Sequence, residues 1–188
     1  MESLETGFLL DRRWHWMRGE METSKEPDLA LLARILSEQN VTYAVIGGVA
    51  LQAHQHDPRS TLDIELGVLR REDIPREALA GAGFRETGKH AHSENWTAPG
   101  GTPVQFTDDP ALSDALGRAL EIRIGDVPLR VMTLPDLFHE KLRSGRDPAR
   151  RRSKRLQDLA DAQALLEQHA DLAGELRPDE RDVLDRLP

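Results

Sequence analysis

The sequence predicts an α/β fold, an α+β mixed sheet with a helical C-terminal portion. Three observations carry that expectation. Short apolar runs bounded by glycine, proline and aspartate recur between residues 41 and 132. Stretches with apolar spacings of three and four alternate with them, and from Leu134 onward only helical spacing remains. The 188 residues correspond to one domain, large enough to bury roughly 70% of its unfolded surface without staples.

Residues 1–26 read as an N-terminal extension that docks its aromatics, Trp14 and Trp16, on the core. The α/β core is assigned to residues 27–133. Pro27-Asp28 opens a helix with apolar positions Leu29, Leu32, Ile35 and Leu36. Val41 to Ile46 is a short strand ended by Gly47-Gly48, and Val49 to His54 suits two helical turns. Asp57-Pro58 marks a turn, Thr61 to Val68 a strand, and Asp73 to Ala82 a helix closed at Gly83. Phe84 to Gly88, His92 to Thr97 and Val104 to Thr107 are strand-like, with Pro99-Gly100-Gly101 turning between the last two. Leu112 to Leu120 reads as a helix. Leu120 to Ile124 and Val127 to Met132 form a hairpin about Gly125-Asp126. The helical portion, residues 134–188, holds Leu134 to Arg143, Ser153 to His169, and a segment from Leu172 to Leu187 broken at Pro178.

Composition narrows the chemistry. There is no cysteine, which removes disulfides, thiolate metal sites and cysteine nucleophiles. The net charge of −8 argues against a wholly basic nucleic-acid binder. Lys141 to Arg155 nevertheless holds eight basic residues against Asp147 alone, a concentration able to attract phosphate. The apolar stretch Tyr43 to Leu51 is far too short to cross a bilayer, so no membrane association is expected. No signal-peptide core is visible near the N-terminus, and the expected compartment is the cytoplasm. His54 with His56 and His90 with His92 offer no set of three or four zinc ligands. Neither a Gly-x-Ser-x-Gly elbow nor a Walker loop is present.

The informative stretch runs from Tyr43 to Val68. A strand leads into Gly47-Gly48 and a short helix, where glycine lets the backbone approach a ligand and helix-start N–H groups favour phosphate. Asp63 and Glu65 follow, two apart on the next expected strand. Side chains alternate, so both carboxylates project from one face with Cα atoms roughly 6.5–7 Å apart. Such a pair repels unless a cation lies between, and Mg²⁺ suits one or two carboxylates together with substrate phosphates.

Gly47-Gly48 followed by Arg59-Ser60-Thr61-Leu62-Asp63-Ile64-Glu65 resembles the AbiEii-type minimal nucleotidyltransferases of the DNA polymerase β superfamily. The resemblance extends to Leu134-Pro-Asp-Leu-Phe-His-Glu-Lys141-Leu and to Lys154-Arg-Leu-Gln-Asp158-Leu-Ala-Asp161, and so spans about residues 28–170. It implies the nucleotidyltransferase fold for residues 27–133. It also implies Mg²⁺-dependent transfer of a nucleoside monophosphate, or a short nucleotide tract, from a nucleoside triphosphate to an RNA such as tRNA, a protein or a small molecule. Some relatives of this type are toxins, which implies a possible antitoxin protein as partner. By the same resemblance Gly47, Gly48, Ser60 and Thr61 hold the phosphates, Asp63 and Glu65 bind the metal, and Lys141, Lys154 and Asp158 face the nucleotide or acceptor.

One departure bears on activity. The resemblance implies a third carboxylate on a neighbouring strand, and Gln105 stands there, an amide that cannot accept a proton. Asp108 and Glu94 are the alternative acids. Three readings therefore stand side by side: an active transferase, a catalytically impaired nucleotide- or RNA-binding module of the same fold, and a protein-interaction partner in a toxin–antitoxin pair.

Overall fold

The computed structural model describes residues 2–18 and 24–186. Met21 and Leu187 lie outside the described residues. The helix α1 (Glu2–Met17) is followed by α2 (Glu26–Glu38), β1 (Tyr43–Ile46) and α3 (Gly47–His54). Next come β2 (Ile64–Val68), α4 (Arg76–Gly81), β3 (Arg85–Lys89), β4 (Ser93–Thr97) and β5 (Pro103–Thr107). The helix α5 (Ser113–Arg118), the hairpin β6 (Leu120–Ile124) and β7 (Val127–Val131), and three helices complete the order: α6 (Leu134–Arg146), α7 (Arg152–Gln168) and α8 (Pro178–Leu184).

Seven strands form one mixed sheet in the order β3-β4-β5-β2-β1-β7-β6. The strand β2 runs antiparallel to β1 and parallel to β5, while β1 runs parallel to β7. The central strand β1 is buried along its whole length, as a strand covered on both faces must be. The side chains of Leu29, Leu32 and Leu36 from α2 and Leu137, Phe138 and Leu142 from α6 are fully buried in the same core as Val45, Leu66 and Phe106.

Several expectations change at the level of elements. Residues 2–17 form a helix whose Leu4, Phe8 and Asp11 share one face at spacings of four and three, and that face is buried. Trp14 and Trp16 lie off that stripe and remain 42% and 52% exposed, so the docking is aliphatic and phenyl rather than indole. The expected helix over 73–82 divides at Pro75, which has no N–H to continue the ladder. It becomes a 3-10 turn at Arg71–Asp73 and the short α4. The ladder of β2 begins only at Ile64, so Thr61 and Asp63 belong to the segment leading into it. Pro178 opens α8 at its first turn, where a missing N–H does no harm.

Candidate active site

The site grows from the corner between β1 and α3. Ile46 pairs with Glu65 across the antiparallel ladder, which brings the glycine turn over the acidic strand. Gly47 has φ +59°, and a Cβ built there would lie 1.7 Å from Oε2 of Glu65. A Cβ on Gly48 would lie 2.4 Å from Oγ1 of Thr61. The two glycines thus admit the chain's own Glu65 and Thr61, in addition to bordering the cleft. The Gly48 N–H donates to the Glu65 carboxylate, and the Thr61 hydroxyl donates to Oδ1 of Asp63 at 2.9 Å. The chain between is fixed from α3, where the Gln52 amide donates to the Arg59 carbonyl at 2.8 Å.

These residues open onto a cleft of about 320 Å³ between the sheet and the α6–α7 pair. Gly47, Gly48, Thr61, Asp63, Glu65, Gln105, Lys141, Lys154 and Asp158 all line it. Ser60 does not; its hydroxyl donates to Oδ1 of Asp11 on α1 at 3.0 Å, so its role is to tie the N-terminal helix to the Arg59–Glu65 segment.

Burial pushes the Glu65 carboxyl above its ordinary range, and the neighbouring Asp63 charge pushes it the same way; Lys141 and the Gly48 N–H oppose this. The charged form of Glu65 is therefore disfavoured, and a cation placed at the pair would favour it. Among the described residues, no third carboxylate, histidine or cysteine joins the two in a cluster able to hold a metal. Two hard oxygen ligands suit Mg²⁺, which keeps several waters and completes its shell with substrate phosphates.

Lys141 is not a free cation facing the ligand. It is 7% exposed and lies 2.9 Å from Asp158 and 2.8 Å from Asp161. Burial by itself would lower its pKa, but the two aspartates outweigh that and hold it above the ordinary lysine value. Asp161 also accepts two hydrogen bonds from Arg59, at 2.9 and 2.8 Å, and one from Gln157 at 3.0 Å. Asp158 is met on its other oxygen by Arg150 at 3.1 Å. One ionic network thus joins the Arg59 segment to α6 and α7. The sequence reading missed Arg59, Arg150, Gln157 and Asp161 as members. The available signal was the spacing of four and three through Lys154, Asp158 and Asp161, which places them along one side of α7; Arg150 lies in the bend before that helix, where no helical period reaches it.

Gln105 lies directly beside Glu65 in the parallel β2–β5 ladder, and Asn95 lies beside Gln105 on β4. Neither alternative acid reaches this row. Glu94 pairs with Phe106, one residue out of phase and so on the opposite face, where it is fully buried. There it receives Arg76 at 2.7 Å and the indole N–H of Trp96 at 3.0 Å. Asp108 is engaged by Arg71 at 3.1 Å.

The mixed sheet, the glycine corner and the adjoining helical pair define the nucleotidyltransferase fold. The chain is similar to an antigenic nucleotidyltransferase-like protein from Paracoccidioides brasiliensis, at 20% identity over 85% of this chain and 91% of that one, with a TM-score of 0.51. It is also similar to the antibiotic-resistance factor ANT(2'')-Ia in its solution structure, at 16% identity over 84% of this chain and 91% of that one, with a TM-score of 0.60. A crystal structure of ANT(2'')-Ia in complex with adenylyl-2''-tobramycin is similar at 15% identity over 85% and 98% of the two chains, with a TM-score of 0.57. At these identities the likeness is one of fold. No family model matches the sequence, and no curated protein matches it at a significant level. No helix among the described residues is long and apolar enough to cross a membrane.

Proposed function

We propose that this protein is a Mg²⁺-dependent nucleotidyltransferase of the AbiEii type, moving a nucleoside monophosphate from a nucleoside triphosphate to an acceptor. The observation that carries the reading is the Asp63–Glu65 pair, held against the Gly47–Gly48 corner at the wall of a cleft that also presents Arg59, Arg150 and Lys154. A similar fold in a protein whose structure holds adenylyl-2''-tobramycin supports it. When bound, Mg²⁺ would neutralise charge on the transferring phosphoryl group and the departing pyrophosphate. The chain's own contribution is positional. Thr61 orients Asp63, the Gly48 N–H orients Glu65, and the Arg59–Asp161–Lys141–Asp158 network fixes the cleft's far wall. Lys154 is exposed on the cleft lining and supplies a cation to the phosphates.

Calorimetry with Mg²⁺ and each nucleoside triphosphate tests this. Replacing Asp63 and Glu65 by alanine abolishes Mg²⁺-dependent nucleotide binding in a protein that stays folded; unchanged affinity places the site elsewhere. The acceptor, whether RNA, protein or small molecule, is identified by transfer of label from the triphosphate into total cellular fractions. Toxicity on expression, relieved by a neighbouring gene product, would identify an antitoxin partner.

A second reading is favoured by Gln105. General-base assistance is worth about 10²–10⁴-fold, so a hydroxyl acceptor meeting an amide would react slowly while nucleotide binding is preserved. Nucleotide binding without pyrophosphate release is the result expected of such a module.

A further inference from the structure

Outside the Asp63–Glu65 pair, which the cation would occupy, the cleft offers no carboxylate free of an ion pair to take a proton from an incoming hydroxyl. Among the described residues, four carboxylates and no histidine line it. Asp63 and Glu65 form the cation pair. Glu140 is held by Arg143 at 2.7 and 2.9 Å and by the Ser144 hydroxyl at 3.0 Å. Asp158 accepts from Lys141 on one oxygen, and Arg150 lies 3.1 Å from the other, an ion pair without a hydrogen bond. Beside Glu65 stands Gln105, which can donate through its amide nitrogen and orient an oxygen but cannot accept a proton. An alcohol must lose a proton to become a good nucleophile. A phosphate monoester has already lost it, with a second pKa of about 6.

Two further features suit an anionic nucleophile. Lys154 lines the cleft, is exposed, and forms no ion pair among the described residues. It sits on the segment from Arg150 to Arg155 that carries five basic residues in six, at the start of α7. A neutral amide at position 105 also removes the repulsion that a carboxylate there would exert on an approaching anion.

We propose that the acceptor is a phosphate monoester, an inference that rests on the transferase reading above. A non-bridging oxygen of the acceptor phosphate attacks the α-phosphorus of the triphosphate, and a new P–O bond forms. The bond from the α-phosphorus to the oxygen bridging the β-phosphorus breaks, and pyrophosphate leaves with the electron pair. The product carries a P–O–P linkage, and no proton changes hands in the step. Lys154 draws the acceptor phosphate in, and the Gln105 amide donates to one of its oxygens.

The test uses the whole protein, Mg²⁺, and nucleoside triphosphates labelled at the α-phosphate. The acceptor probes are inorganic phosphate, glycerol 3-phosphate and glycerol. Label is expected in a nucleoside diphosphate with the first and in a phosphatase-resistant adduct with the second. Glycerol is expected to react at least about 100-fold more slowly, the lower end of what general-base assistance contributes. The rate with glycerol 3-phosphate levels off above pH 7 and falls below about pH 6 with the acceptor's own titration. Gln105→Glu slows transfer to glycerol 3-phosphate roughly tenfold by like-charge repulsion and speeds transfer to glycerol. A phosphatase-sensitive adduct with glycerol 3-phosphate means that its hydroxyl attacked, and overturns the proposal. So does transfer to glycerol at a matching rate, especially if Asp158→Asn abolishes it and thereby exposes Asp158 as the base. Calorimetry separates the two levels of failure. Absence of Mg·nucleotide binding overturns the transferase reading and this inference together. Binding with transfer only to hydroxyls, or to none of the probes, overturns this inference alone.

Discussion

Replacing Asp161 by asparagine tests whether the ionic network holds the cleft together. Asp161 is 3% exposed and neutralises two cations at once, Lys141 at 2.8 Å and Arg59 at 2.8 and 2.9 Å. Asparagine keeps the volume and one acceptor but removes the charge. The Arg59 side chain is 38% exposed, so water screens much of its loss and its share is small. The Lys141 ammonium is buried and is left with Asp158 alone. Uncovering a buried charge costs about 3–5 kcal/mol when no partner remains, and Asp158 retains part of that, so about 2–3 kcal/mol is expected. For a chain of this size the loss corresponds to a fall of roughly 4–12 °C in Tm.

The pH signature follows from the two shifts. Burial works to raise the Asp161 carboxyl, but Arg59 and Lys141 together hold it below its ordinary 3.8. Its stabilisation is therefore complete above that value and is lost as pH falls through the lowered one. The net shift of Lys141 is upward, so its stabilisation is present below 10.5 and is lost only as pH rises beyond that. The gap between wild type and Asp161→Asn should be flat from about pH 5 to 9 and close in acid. Urea unfolding at pH 7 with a pH series of melting curves measures it. Adding Lys141→Met to Asp161→Asn should recover part of the loss, because the uncompensated ammonium is gone while Arg150 still meets Asp158. A single variant within about 0.5 kcal/mol of wild type, or a gap that widens in acid, would refute the reasoning.

Glu65→Gln should raise stability without ligand, because burial and Asp63 hold the Glu65 pKa above its ordinary value. That gain is absent at low pH, where Glu65 is protonated anyway, and develops as pH rises through the raised value; thermal melts at pH 4 and pH 8 check it. Gly47→Ala should cost more than about 3 kcal/mol, since φ is +59° and the new Cβ meets Glu65, whereas Gly117→Ala on α5, with open space around it, should be neutral or slightly stabilising. Circular dichroism melts of both distinguish a packed corner from a flexible one. Phe8→Ala should cost about 3–5 kcal/mol as a fully buried ring, and Trp16→Ala within about 0.5 kcal/mol as an exposed one. Equal losses would mean that α1 packs differently.

Much of the fold was legible in the chain because it follows from local rules. The run Tyr43 to Ile46 has no polar residue and ends in two glycines, so a buried strand and a sharp exit are written in adjacent residues. The hairpins around Gly100-Gly101 and Gly125-Asp126 are likewise set by turn chemistry within a few positions. The i, i+2 relation of Asp63 and Glu65 was visible for the same reason, and the structure sets both on the cleft wall. Proline positions 75 and 178 carry more information than the helical period around them, since Pro75 divides the segment 73–82 and Pro178 opens α8.

Other features depend on which distant residues meet. Nothing near Lys141 announces that Asp158 and Asp161 enclose it, because the partners lie on a second helix whose packing sets the distance. That Gly47 makes room for Glu65, rather than only for a ligand, depends on the β1–β2 register, in which Ile46 meets Glu65. Ser60 turns to Asp11 because α1 folds back over α3, a placement that sequence periodicity does not specify. The row Glu65–Gln105–Asn95 and the exile of Glu94 to the other face are consequences of register as well. Side chains alternate along every strand, so a shift of one residue decides which acid the cleft receives. Local sequence determined the elements and the acidic pair; only the tertiary structure decided which charges neutralise one another and which are left facing the cleft.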